Sequence, residues 1–85
     1  MNRRKLLKRL AQGDLRNVAF ADMVSLVTGF GFTLKRTRGS HHIFAHPALP
    51  GMVNLQDVGG EAKPYQIRQF LRLIEKYDII MEDAE

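Results

Sequence analysis

Histidine exchanges protons near neutral pH, and the three histidines of this chain, His41, His42 and His46, fall within six residues of one another. They follow directly on a cationic stretch that holds Lys35, Arg36 and Arg38. A placed imidazole can remove a proton from one oxygen and deliver one to another without a cofactor. Cleaving an RNA backbone needs that service. A ribose 2′-hydroxyl must lose a proton to attack the adjacent phosphate, and the leaving 5′-oxygen must gain one. Arg36, Arg38 or Lys35 would stabilise the charge that builds on the phosphorane.

Competing chemistries lack their parts. With no cysteine, the chain has no disulfide, no thiolate nucleophile and no cysteine-rich zinc site. His42 and His46 could reach one ion, but no cysteine or nearby pair of carboxylates completes the shell, so no metal site is expected. Two-metal nuclease chemistry lacks its acidic ligands. Ser40 beside His41 does not make a hydrolase pair, because sequence neighbours rarely share that geometry and no orienting acid is evident. Ser40 reads instead as a turn or phosphate-contact residue. No small-molecule cofactor is implied.

The elements that must position these groups follow from periodicity. Residues 2–12 predict a short basic helix with Leu6, Leu7, Leu10 and Ala11 on one face, stopped by Gly13. Phe20, Met23, Val24 and Val27 predict a second helix ended by Gly29 and Gly31. Residues 32–37 alternate as a half-buried strand does, and Arg38, Gly39 and Ser40 read as a turn. His41 to Ala45 supplies the antiparallel partner of that strand. Within it His41 and Ile43 share one side while His42, Phe44 and His46 share the other. Which histidine is buried stays open, because Ile43 and Phe44 both want cover. Met52 to Gln56 reads as a third strand, and Gly59 and Gly60 open a loop, expected to be exposed, that ends at Pro64. Pro64 then starts a helix with Ile67, Phe70, Leu71 and Ile74 inward and Arg68, Arg72 and Lys76 on a solvated side.

The expected fold is therefore α+β, in the order helix, helix, three strands, helix, as a three-stranded antiparallel sheet with helices on one face. The other face, beside a basic turn, is where RNA would lie. At 85 residues the chain has room for one core, and its 45% hydrophobic and 26% charged residues are ordinary for a globular domain. Residues 1–46 carry nine lysines and arginines against two acids, whereas residues 47–85 carry four against seven. A surface of this kind steers polyanions, which makes nucleic acid a reasonable partner, although a basic balance also serves solubility. The absence of cysteine fits a reducing cytoplasm, and charges interrupt the apolar residues near the N-terminus, so no secretion or membrane-spanning segment is expected.

The run Gly31-Phe32, then Arg38-Gly39-Ser40-His41-His42-Ile43-Phe44 and His46-Pro47, resembles the core signature of the HicA toxin family. Gly60, Glu61, Ala62, Lys63 and Pro64, leading into the helix from Ile67 to Tyr77, are similar to that family's C-terminal segment. The resemblance covers residues 18–79 and implies a fold like that of double-stranded RNA-binding domains. It also implies cleavage of messenger RNA without a metal and control by a HicB antitoxin that covers the active site. The histidine of the glycine-serine-histidine motif is the catalytic one in this family. The resemblance therefore places that role on His41, with Gly39 setting the turn and Ser40 helping to position it. Lys35, Arg36, Arg38, Gly39, Ser40 and His42 are the expected RNA-binding set, and His46 receives no role. Two departures mark a divergent member. Asn54-Leu55-Gln56-Asp57-Val58 stands where many HicA proteins have a proline and a histidine after the third strand. Residues 1–16 add a basic helix before the family's usual start, in what is otherwise one HicA-like domain over 1–85. The alternative reading is a non-catalytic RNA-binding or regulatory module of the same fold.

Overall fold

The structure is a computed structural model, in which residues 1–81 are described. Its elements are α1 (Arg3–Ala11), α2 (Phe20–Gly29), β1 (Thr33–Arg38), β2 (His41–Ala45), β3 (Met52–Val58), β4 (Glu61–Ala62) and α3 (Pro64–Lys76). The strands form one antiparallel meander in the order β1-β2-β3-β4. The class is α+β, as the periodicity implies, but the sheet has four strands where the sequence predicts three.

The fourth strand exists because of the turn before it. Val58 pairs with Glu61 across Gly59 and Gly60, whose φ values are +61° and +86°. A two-residue turn with two positive φ angles suits glycine at both positions. The stretch expected to be an exposed loop is thus a hairpin, exposed from Gly59 to Glu61 as expected but with Ala62 buried. Asp57 Oδ1 accepts from the Gly60 N–H at 2.9 Å, and the segment before α2 pairs with β4, Ala62 N–H donating to the Val18 carbonyl and Phe20 N–H to the Gly60 carbonyl.

Phe44 of β2 and Val53 and Leu55 of β3 point to one side of the sheet and are buried there with Met23, Leu26, Val27 and Phe30 from α2 and its C-cap, and with Ile67, Phe70 and Ile74 of α3. The stripe of α2 is rotated from the one expected: Met23, Leu26, Val27 and Phe30 are buried, while Phe20 and Val24 are only partly covered. In α3 the apolar residues point inward and Arg68, Arg72 and Lys76 outward, as their spacing predicts.

The N-terminal helix contributes to the same core through Leu6 and Leu10. Asn2 caps it, its Oδ1 accepting from the N–H groups of Arg4 and Lys5. Arg3 fastens it to α2, its Nε donating to the Ser25 carbonyl at 2.8 Å and to Ser25 Oγ at 3.0 Å. Arg9 is tied to Asp14 and to the Arg16 carbonyl. Part of the helix's basic charge is therefore spent within the chain. No helix among the described residues is long and apolar enough to cross a membrane.

Candidate active site

The hairpin between β1 and β2 sets where His41 stands. Arg38 pairs with His41 across Gly39 and Ser40, and Gly39 has a φ of +60° while Ser40 does not have a positive φ. Positive φ at the first central residue alone is the pattern of a type II′ turn, which takes glycine there and matches the strand twist. His41 is therefore the first residue of β2. Alternation then sends His41 and Ile43 to the face away from the helices, because Phe44 goes to the core.

The sheet register separates the three histidines. His41 lies opposite Gln56, and Ile43 opposite Asn54, on the uncovered face. His42 lies opposite Leu55 on the covered face, where its ring sits 4.7 Å from that of Phe20 and its Nδ1 is 3.0 Å from the Ser40 carbonyl. The His46 ring meets Phe32 at 5.1 Å, and its Nδ1 accepts from the Ala48 N–H. His42 and His46 are thus held by aromatic neighbours and the backbone. His41 alone stands on the open face.

A side chain the sequence reading did not single out holds His41. Its Nδ1 lies 3.2 Å from Asn54 Oδ1. An amide oxygen only accepts, so Nδ1 carries the hydrogen and, in the neutral ring, Nε2 is the basic nitrogen. The signal for Asn54 is its place between the buried Val53 and Leu55: a residue of low strand propensity near the middle of a strand, facing outward.

The cations reach the same face through an irregularity. Leu34 pairs with Phe44 and Arg36 with Ile43, so β1 advances two residues while β2 advances one and Lys35 is the extra residue of a bulge. The bulge turns Leu34 to the helix side and leaves Arg36 and Arg38 on the open face with His41. β1, expected to be half-buried, is nevertheless exposed at every position, because it is the terminal strand and α2 and α3 pack over β3 and β4. Among the described residues the side chains of Lys35, Arg36 and Arg38 have no ion-pair or hydrogen-bond partner. Of the expected RNA-binding set, Arg36 and Arg38 share His41's face, Gly39 and Ser40 form the turn at its edge, Lys35 sits at the bulge, and His42 faces the other way.

One polar group behind the site completes the sheet. β4 is too short to pair with Gln56, and the buried Gln66 of α3 substitutes for it, its Oε1 accepting from the Gln56 N–H at 2.7 Å. This fixes β3 where Gln56 lies across from His41. Among the described residues no three histidine, aspartate or glutamate side chains lie close enough to hold a metal ion together.

The family model described as HicA toxin of bacterial toxin-antitoxin matches residues 20–75, from the start of α2 to the last turn of α3, with all four strands between. No curated protein and no solved structure gives a significant match. The match spans well over half of the chain and leaves α1 outside it, and the chain belongs to the HicA family, the toxins of bacterial toxin–antitoxin systems, each with a cognate antitoxin as its counterpart.

Proposed function

We propose that this toxin is a metal-independent endoribonuclease that cleaves messenger RNA, with His41 as its proton-transfer residue. The observation that carries the reading is the position of His41: the one histidine on the face away from the helices, with no hydrogen-bond partner at Nε2 among the described residues and with Arg36 and Arg38 on the neighbouring strand. RNA laid over this face brings a 2′-hydroxyl to Nε2. The nitrogen takes its proton, the 2′-oxygen attacks the phosphorus, and the bond to the 5′-oxygen breaks. The imidazolium so formed returns the proton to the leaving oxygen, giving a cyclic phosphate and a 5′-hydroxyl end. Arg36 and Arg38 stabilise the charge on the phosphorane. The nucleophile belongs to the substrate, so the scheme calls on no metal.

The same face suits a HicB-like antitoxin whose acidic groups meet Arg36 and Arg38 and exclude RNA. We read residues 1–85 as one HicA-like domain acting in the cytoplasm, with residues 1–16 as an addition anchored by Leu6, Leu10 and Arg3.

The test is incubation of the purified protein and of His41→Ala with a long single-stranded RNA in excess chelator, with mapping of any ends formed. Cleavage by the parent and not by the variant is the expected result. Equal cleavage by both removes His41 from the chemistry. Intact RNA with both, together with salt-dependent binding, replaces the enzyme by a binding module.

A further inference from the structure

Asn54 stands diagonally across the β2–β3 ladder from His41, not directly opposite it. Diagonal neighbours on one face of an antiparallel pair lie farther apart than direct partners and touch only when a side chain reaches. The His41 ring does reach, setting Nδ1 3.2 Å from Asn54 Oδ1 although Gln56 is its direct partner. Asparagine is also a poor strand former, and Val53 and Leu55 on either side of it are fully committed to the core. Alternation asks only for a polar residue at this outward position and gives no reason for asparagine in particular. The contact with His41 gives one.

We propose that Asn54 is the positioning residue of His41: it fixes the imidazole in the tautomer with hydrogen on Nδ1 and holds Nε2 toward the open face. This rests on the ribonuclease reading for its use, but the tautomer itself is a property of the folded protein without RNA. A neutral imidazole has two tautomers, and only the one with hydrogen on Nδ1 presents Nε2 as a base. A ring without a partner at Nδ1 divides its time between the two and turns about its side-chain bonds. A group that accepts from Nδ1 removes both freedoms, in the way that partners of metal-bound histidines fix tautomer and ring orientation. Asn54 contributes this from a central strand whose register is set on both sides, by β2 and by Gln66.

The experiment records the ring nitrogen-15 resonances of His41 in mildly alkaline solution, where an imidazole is neutral, in the parent, Asn54→Leu and Asn54→Asp. Amide spectra check that each variant is folded. The parent should show hydrogen on Nδ1, Asn54→Leu a mixture, and Asn54→Asp, which keeps an accepting oxygen, the parental tautomer. Cleavage kcat should fall about 10- to 100-fold in Asn54→Leu, the range for lost orienting partners, with KM little changed, and recover in Asn54→Asp. Parental ring resonances in Asn54→Leu would overturn the proposal, and so would an undiminished kcat beside an altered tautomer. A ring that responds to Asn54 in a protein that leaves RNA intact would support the positioning role and overturn the ribonuclease reading.

Discussion

His41 and His42 are adjacent in sequence and identical in type, and the sheet sends them to opposite environments. His42 is sandwiched toward the helices, with the Phe20 ring on one side and the Ser40 carbonyl at Nδ1. His41 meets a polar side chain, Asn54, on the face away from the helices. The pair shows that the surroundings of each ring are a matter of face. On the covered face the imidazole packs against an aromatic ring, and on the open face it lies with Arg38 of β1 on one side and Gln56 and Asn54 of β3 on the other.

The largest effect that tests this contrast lies one step further along β2. Phe44→Ala empties a fully buried position and should cost about 3–5 kcal/mol by urea denaturation, whereas Ile43→Ala on the open face should cost much less. Equal costs would mean that the two faces are not distinguished by burial. Gln66→Leu leaves the Gln56 N–H without its acceptor and should destabilise by about 1–3 kcal/mol, with faster amide exchange at Gln56 as its local signature. His42→Ala loses the Phe20 contact and a hydrogen bond, for about 1–2 kcal/mol, while His41→Ala loses its hydrogen bond to Asn54 without a packed ring, for about 0.5–1 kcal/mol. Reversed stabilities would exchange the roles given to the two histidines. Smallest is the effect of Arg36→Ala, which should leave the melting temperature in place and lower the salt dependence of RNA binding by about one counterion. An unchanged slope would remove Arg36 from the RNA-facing surface.

Much of this arrangement is readable in the chain. The period of α3 and the glycines that end α2 follow from spacing, and the Gly39-Ser40 turn fixes the start of β2. What spacing could not decide was the face of His41, because Ile43 and Phe44 are both apolar. The decision comes from β3, where Val53 and Leu55 align with Phe44 and His42 and draw that side of β2 into the core. Strand β4 escaped because two residues carry no alternation, although the Gly59-Gly60 pair before it is a hairpin signal in its own right. The bulge at Lys35 escaped because the alternation of β1 is intact in the sequence, and only pairing with β2 shows that one residue has been passed over. Asn54 needed the diagonal of a register that no single strand reveals.

The position of β1 at the end of the sheet has a further consequence. A terminal strand offers a row of backbone donors and acceptors with no ladder beyond it, a template on which a second copy can add its own strand and begin a fibril. Here Lys35 breaks the regular spacing of that row, and Arg36 and Arg38 line it with like charge. Two such edges brought together repel each other and are out of step. The residues assigned to phosphate are therefore also the ones that make this edge a poor template for a second copy.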